Sequence, residues 1–228
     1  FMDLGFPAFY VQKDLEVEHS EYVTQLRQEL ELLYYRKRIY PVEAADMRRG
    51  LPIRPMHRGL YLEQQAHLYE NIPHMAKAAS LRGLARACAG VPVFLIGAGP
   101  DLHEKMEYLR NNRDKALLIA VNSALKPLSE QGIFPHLAVI SDNGPEVADT
   151  LQGLPIMDQT LLVCHFLSHA GGDVFPRKVF FGDWDQELLG PSVGLRVYGS
   201  VISAAFSLAR FLGCGPLVFV GAQLASED

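Results

Sequence analysis

The sequence has little cysteine and no excess of positive charge. Only three of its 228 residues are cysteines, Cys88, Cys164 and Cys214, and no two of them form a CxxC pair. We therefore expect neither a disulfide framework nor a zinc site, and we expect a reducing compartment, the cytoplasm. The net charge of −5 argues against a broadly basic nucleic-acid-binding protein, so no nucleic-acid partner is expected.

The sequence also lacks a recognisable secretory leader and a long uninterrupted apolar run. Its first residues, Phe1-Met2-Asp3, show no basic region followed by an apolar core. The stretch 199–224 carries a single charge, Arg210, but Gly213-Cys214-Gly215-Pro216 divides it into halves too short to cross a bilayer. A buried helix followed by a buried strand is the better interpretation, and no membrane partner is expected.

The pattern of apolar residues changes near residue 90, from helical spacing to short continuous runs. Residues 1–90 are expected to be a helical region, with helical spacing of apolar residues in 18–38 and a second helical pattern in about 58–89. Six short apolar runs follow, separated mostly by helical or polar segments. These runs are Val91–Ile96, Ala116–Val121, Leu137–Ile140, Thr160–Cys164, Lys178–Phe181 and Leu217–Val220.

Continuous apolar runs of this length are typical of strands buried on both faces, as in parallel sheets. Their alternation with helices predicts an α/β fold, namely a doubly wound, mostly parallel Rossmann-like sheet in residues 91–228. The last run ends close to residue 228, so we expect this domain to be truncated at its C-terminus.

Small and polar residues follow most of the predicted strands. Ligands of open parallel sheets bind beyond the carboxyl ends of the strands, so these residues are the candidates for a nucleotide-type site. They are Gly97-Ala98-Gly99-Pro100-Asp101 after the first run, Asn122-Ser123 after the second, Ser141-Asp142 after the third, and His165 and His169 after the fourth, with Gly199-Ser200 before the last helix.

The segment Gly97-Ala98-Gly99-Pro100 is the most informative of these. Glycines allow the backbone to approach a phosphate, and the N-terminus of the following helix supplies amide donors. Pro100 suits the first turn of that helix. The segment is neither a complete GxGxxG motif nor a P-loop, and a tight turn without a ligand is the alternative. Asp101 opposes phosphate binding unless it caps the helix or meets a metal ion.

The other candidates also have structural alternatives. Ser141-Asp142 is either a ribose contact or magnesium ligand, or part of an Asp-Asn-Gly-Pro turn. Gly199-Ser200 is either a second anion cradle or a helix N-cap. His165 and His169 are candidates for general acid–base catalysis or for a substrate contact. A metal site on these two histidines is less expected, because no Glu lies between them as in HExxH.

Several blocks of the sequence, in the same order, resemble a known family. Val93–Leu102 resembles its Gly-x-Gly-Pro-Ser-Leu signature, and Ser141-Asp142 resembles a later block. Further blocks that resemble it are Asn122–Leu128, Gly132–His136, Gly199–Val201, Leu212-Gly213 and Val220–Ala225. The family contains bacterial motility accessory factor glycosyltransferases and archaeal 6-hydroxymethylpterin diphosphokinases, and the resemblance covers about residues 70–226. The first signature is also similar to the nucleotide loop of bacterial sialyltransferases that use CMP-sialic acid.

The resemblance implies a transferase with a Rossmann-like core that binds a nucleotide or a nucleotide sugar. The leading hypothesis is a motility accessory factor-like glycosyltransferase that moves a nonulosonic acid from CMP to a protein acceptor such as flagellin. One alternative is an ATP-dependent 6-hydroxymethylpterin diphosphokinase, which would use magnesium, with Asp142 as a candidate ligand. Another is a non-catalytic nucleotide-binding module, and the sequence leaves a homo-oligomer open.

The leading hypothesis assigns roles to the candidate residues. The glycine loop and Gly199-Ser200 would hold the phosphate, Asn122 and Asp142 the ribose or base, and His165 or His169 would take the proton of the acceptor hydroxyl. The chain departs from the family pattern where Asp101 replaces a serine and Gln223 an aspartate. Both departures change the charge where phosphate and metal chemistry is expected, which implies an altered substrate or a loss of activity.

Overall fold

The computed structural model describes residues 11–34, 58–144, 146–184, 186–197 and 200–222. The chain divides into two compact units, Phe1–Leu62 and Glu63–Asp228. The described part of the first unit is helical, with α1 (Lys13–Glu18) and α2 (Ser20–Tyr34), and α3 (Arg58–Met75) continues into the second unit. The second unit therefore contains residues 63–90 together with the sheet, whereas the sequence analysis placed residues 63–90 in the N-terminal helical region.

In the part of the chain that the structure describes, six parallel strands form one sheet in the order β5-β4-β3-β2-β1-β6. Each of the six predicted apolar runs coincides with one strand to within two residues at either end, which confirms the α/β fold with a parallel, Rossmann-like sheet. The strands are β1 (Val93–Ile96), β2 (Leu117–Val121), β3 (Leu137–Ile140), β4 (Leu161–His165), β5 (Arg177–Phe181) and β6 (Leu217–Val220).

The burial of the strands explains why the apolar runs were continuous. All four residues of β1 and all four of β3 are buried, because helices cover both faces of the sheet there. The strand β6 differs from the prediction of a buried strand. It is an edge strand of the sheet, and Val218 and Phe219 are 41% and 51% exposed.

The direction of winding changes once, between β1 and β6. The strands β1 to β5 succeed one another in one direction across the sheet, and the chain then returns to place β6 on the other side of β1. Because parallel crossovers are right-handed, the return connection carries its helix to the opposite face. The remaining helices are α4 (Met106–Asn112), α5 (Asn122–Glu130), α6 (Glu146–Leu151), α7 (Gln186–Leu189) and α8 (Val201–Phe211).

The helix α8 covers the central strands on that opposite face. It contacts β1, β2 and β3 and buries Ala204, Ala205, Leu208 and Ala209. The three alanines allow the helix backbone to lie close to the sheet. The fold is therefore doubly wound, and its topological switch point, where ligands of such sheets bind, lies between the carboxyl ends of β1 and β6.

The segment after α3 is not the helix that the sequence predicted up to residue 89. The helix α3 ends at Met75, and a 3₁₀ helix, Leu81–Leu84, follows. Beyond it the backbone amides of Arg86, Cys88 and Gly90 donate to carbonyls of residues 211–213. These long-range hydrogen bonds replace the local bonds of a helix. Among the described residues, no helix is long and apolar enough to span a membrane.

Candidate functional site

The loops that follow β1 and β6 meet at the switch point. The amide of Gly97 donates to the carbonyl of Val220 at 2.9 Å, and the amide of Gly99 donates to the carbonyl of Gly221 at 2.7 Å. A Cβ atom on Gly97 would overlap the carbonyl oxygen of Gly221, and one on Gly221 would overlap that of Gly97. We call this contact the Gly97–Gly221 seam. It needs glycine at both positions, and Gly221 also has a φ of +61°.

The seam limits which amides of the glycine loop can hold a phosphate. Those of Gly97 and Gly99 already donate to the β6 side, and Pro100 has no N–H. The predicted phosphate contact therefore depends on the amides of Ala98 and Asp101. The helix after the loop begins as a 3₁₀ helix, Pro100–Lys105, with Pro100 in its first turn as expected.

Three side-chain oxygens in the described part of the chain are buried without a hydrogen-bond partner. Asp101 Oδ1 and Ser141 Oγ lie just after β1 and β3, and Glu63 Oε2 lies on α3. The cap position before the 3₁₀ helix is Gly99, and no side chain caps it, so Asp101 does not have the capping role considered above. A buried oxygen without a donor is unfavourable by about 1–3 kcal/mol, and it calls for a water molecule or a ligand.

The first polar residue after β2 has a structural partner. The helix α5 begins directly at Asn122, which is 7% exposed, and its Nδ2 donates to Thr150 Oγ1 on α6 at 3.2 Å. This bond ties two helices together beside the carboxyl ends of β2 and β3. Ser123, the next residue, is exposed.

The residues after β3 form the turn that the sequence offered as the alternative reading. Asp142 is exposed, and its Oδ1 accepts the amide of Gly144 at 3.0 Å. Asn143 Oδ1 accepts a hydrogen bond from Ser168 Oγ at 2.7 Å. This bond links the ends of β3 and β4.

A clamp from α3 fixes the loop after β4, and the sequence analysis missed it. Asn71 Nδ2 donates to the carbonyls of Phe166 and Ser168 at 3.0 and 2.9 Å, and His67 Nδ1 donates to that of Leu167 at 3.3 Å. Asn71 is only 2% exposed. A signal was present in the sequence, because His67 and Asn71 lie four apart and so occupy one face of a predicted helix. Polar side chains on a buried helix face need hydrogen-bond partners, which predicts a contact with another segment.

The two predicted histidines share one hydrogen-bond pattern. His165 Nδ1 accepts the amide of Leu167 at 3.3 Å, and His169 Nδ1 accepts that of Gly171 at 3.2 Å. When neutral, both rings therefore carry their proton on Nε2. Burial lowers the pKa of His165 to about 4, and burial is also the main cause that lowers the pKa of His169. Both rings are thus suited to donate a hydrogen bond to a substrate.

The ring of His67 has the opposite arrangement. Its Nδ1 donates to a carbonyl, which leaves the lone pair of Nε2 available. The ring packs edge-on against that of His169, with 5.7 Å between the centroids. The pair combines one ring that can accept a proton with one that can donate a hydrogen bond.

The buried His165 should make folding stability depend on pH. The unfolded chain takes up this proton near pH 6.5, but the native protein takes it up only near pH 4, so stability falls as the pH drops between these values. We expect a loss of about 2 kcal/mol from this residue between pH 7 and pH 5. Urea unfolding at several pH values measures it. The variant His165→Asn, which keeps an acceptor for the Leu167 amide, should show a correspondingly flatter profile. An equal slope in both proteins would mean that His165 titrates normally.

Two predicted site residues lie outside the described residues, Gly199 and the departure Gln223. Ser200 is the N-cap residue of α8, is exposed, and makes no capping bond with its side chain. Within the described ranges, no group of three or more His, Cys, Asp or Glu side chains could hold a metal ion.

Comparison with known proteins gives a family and a fold. The family model described as 6-hydroxymethylpterin diphosphokinase MptE-like matches residues 66–228. Among solved structures, that of the MAf glycosyltransferase from Magnetospirillum magneticum AMB-1 is similar, with a TM-score of 0.53 and 23% sequence identity. The match covers 62% of this chain and 24% of that one, so the chain spans about a quarter of that protein's length. No curated protein matches the sequence.

Proposed function

Because the chain belongs to the 6-hydroxymethylpterin diphosphokinase MptE-like family, we propose that it binds a nucleotide at the carboxyl edge of its sheet and takes part in transferring the group that the nucleotide activates. The proposed donor is a CMP-linked nonulosonic acid, and the proposed acceptor is a hydroxyl group on a protein such as flagellin. The reaction would take place in the cytoplasm. The fold similarity to a MAf glycosyltransferase agrees with this choice.

The observation that carries the proposal is the pair of unpartnered buried oxygens, Asp101 Oδ1 and Ser141 Oγ. A carboxylate oxygen can only accept hydrogen bonds. A phosphate at neutral pH is also an acceptor, so it cannot be the partner of Asp101 Oδ1. The group that satisfies Asp101 must therefore be a donor such as a hydroxyl. A nucleotide sugar carries ribose and sugar hydroxyls close to its phosphate, and this combination suits a carboxylate beside a glycine loop.

Transfer from a CMP-linked sugar develops positive charge on the sugar ring and negative charge on the leaving phosphate. The amides of Ala98 and Asp101 are the loop donors that remain for that phosphate, and Gly199-Ser200 is proposed as the second cradle. Asn122 and Asp142 would then contact the ribose or the base. These groups stabilise the leaving phosphate only if they are oriented before reaction, which the Gly97–Gly221 seam provides for the loop.

The acceptor hydroxyl must lose a proton as it attacks. Of the histidines at this edge, His67 has the nitrogen whose lone pair is available, and we propose it as the general base. His169, packed against it, and His165 would instead donate hydrogen bonds to the sugar or acceptor. The sequence predicted His165 or His169 for this role, and the Nε2 proton on each of those neutral rings is the reason to propose His67 instead.

The family description also names a diphosphokinase, which is the second candidate function. Transfer of a diphosphate from ATP uses magnesium held by carboxylates, and we find no suitable group of three or more side chains in the described ranges. The sequence moreover carries Gln223 in place of an acidic residue. The described residues thus offer no all-protein magnesium cage, but magnesium bound to the phosphates of ATP needs only one or two carboxylates, for which Asp142 stays the candidate.

Calorimetric titration with CMP, CMP-sialic acid and ATP, each with and without magnesium, tests the proposal. We expect both cytidine compounds to bind without a magnesium requirement and ATP to bind at least about tenfold more weakly, which corresponds to 1.4 kcal/mol. Binding of ATP that appears only with magnesium, while CMP stays silent, would favour the diphosphokinase. A folded protein that binds none of the three would contradict the proposal and favour a non-catalytic assembly module that does not bind a nucleotide.

A further inference from the structure

Two cysteines meet at the end of the sheet opposite the candidate site. The segment before β1 and the segment before β6 run side by side, joined by hydrogen bonds from the amide of Cys88 to the carbonyl of Leu212 at 3.0 Å and from the amide of Gly215 to the carbonyl of Val91 at 2.9 Å. A Cβ atom on Gly213 would lie 3.3 Å from the Cα atom of Ala89. The two backbones are therefore in close contact where Cys88 and Cys214 lie.

The two thiols are close enough to interact. After the larger effect of burial, the neighbouring Cys88 also raises the pKa of Cys214, and both cysteines are free. Cys88 is partly exposed, whereas Cys214 is 7% exposed. The third cysteine, Cys164, is fully buried in β4, where its Sγ donates to the carbonyl of His165 at 3.3 Å. The interaction between two thiols is therefore that of Cys88 with Cys214, and Cys164 takes no part in it.

We propose that Cys88 and Cys214 form a reversible disulfide, and thus a redox-sensitive modification site on this protein. A disulfide requires Cα atoms about 4.4–6.8 Å apart, and two interacting thiols on adjacent segments joined by backbone hydrogen bonds are suited to that geometry. The low cysteine content of the chain gave no indication of it, since the two residues are far apart in sequence and form no motif.

The chemistry needs an oxidant, and a small-molecule disulfide such as oxidised glutathione supplies it. The thiolate of Cys88, the more accessible sulfur, attacks one glutathione sulfur, and the other glutathione leaves as a thiolate. Cys214 then gives up its proton and attacks the Cys88 sulfur, which releases the second glutathione. The two cysteines lose two electrons and two protons, and oxidised glutathione becomes two reduced molecules. Burial raises the pKa of Cys214 to about 11, so this thiol is better suited to attack the mixed disulfide at Cys88 than to attack glutathione first.

The disulfide would join the lead-in segments of β1 and β6. These two strands pair along their whole length, from Val93 opposite Leu217 to Ile96 opposite Val220, and end in the Gly97–Gly221 seam. A covalent link at their amino ends closes a loop that contains β1 to β5. It should therefore restrict the unfolded chain and stabilise the pairing on which the candidate site is built.

Mass spectrometry of the intact chain tests the proposal, after equilibration in glutathione buffers, an acid quench and alkylation in denaturant so that buried thiols are also labelled. Under oxidising conditions we expect a species that has lost two hydrogen atoms and carries one alkyl group, on Cys164. Cys164→Ser should also lose two hydrogen atoms but carry no alkyl group, whereas Cys88→Ser and Cys214→Ser should keep both of their thiols open to alkylation. The Tm of the oxidised parent should exceed that of the reduced parent by roughly 5–15 °C, with no such rise in Cys88→Ser.

Peptide mapping of the oxidised parent protects the test against variants that fail to fold. A cross-linked peptide containing Cys88 and Cys214 would support the proposal without any substitution. The proposal is overturned if the oxidised parent still alkylates at all three cysteines. It is equally overturned if a glutathione adduct persists on Cys88 while the thiol of Cys214 stays free.

Discussion

Gly97→Val should lower the free energy of unfolding by about 3 kcal/mol or more. The reason is the Gly97–Gly221 seam. A side chain at this position meets the backbone carbonyl of Gly221, and backbone held by the β1–β6 pairing cannot rotate away as a flexible side chain could. The loops must separate, and the hydrogen bond from Gly99 to Gly221 is lost with them. Urea unfolding followed by circular dichroism measures the change.

Gly83→Val is the matched control for this substitution. Gly83 lies in the 3₁₀ helix before β1, and a Cβ atom there would have no neighbouring atom within 4 Å. Its stability should change by no more than about 0.5–1 kcal/mol. Equal stabilities of the two variants would show that the seam tolerates a side chain. A destabilised Gly97→Val whose folded fraction binds CMP normally would show that the loop is a turn without a phosphate role.

The sequence predicted the strands well because each strand carries its own evidence. A run such as Leu137–Ile140 is apolar at every position because both of its faces are covered, and this requirement is local. The exposure of Phe219 on β6 could not be predicted in the same way. It depends on the order of the strands in the sheet, because the chain returns past β1 and places β6 at the edge. The residues of β6 alone do not indicate this position.

The candidate site was predicted in part for the same reason. Strand ends can be found from the apolar runs, so the positions of Asp101 and Ser141 followed from the sequence. The clamp by Asn71 could not follow, because it joins residues 95 and 97 positions apart. The glycine loop shows a further limit of such reasoning. Its glycines indicated a close approach of backbone, but the partner shown at Gly97 is another loop of the chain, and the phosphate contact stays a prediction.

Asp101→Asn should weaken binding of a CMP-linked sugar by about 5- to 15-fold, because the Asn oxygen still accepts the hydrogen bond but lacks the charge that strengthens it. The same substitution should stabilise the free protein by about 1 kcal/mol, because Asp101 Oδ1 is buried without a partner and an amide is easier to bury than a carboxylate. The two effects have opposite signs, and this distinguishes a ligand contact from a structural residue, whose loss would reduce stability. Calorimetric titration and thermal unfolding of the same protein preparation measure both.

The control for Asp101→Asn removes the same charge elsewhere. Asp149 is exposed on α6, and Asp149→Asn should leave affinity within about threefold and stability within about 0.5 kcal/mol. If Asp101 only repels the phosphate, its substitution will instead tighten binding, and the hydroxyl contact is refuted. If neither variant changes the affinity, the unpartnered oxygen does not face the nucleotide, and the proposed function loses the observation that carries it. A fall in both affinity and stability would show that Asp101 stabilises the loop itself, because a residue that only contacts the ligand does not stabilise the ligand-free protein.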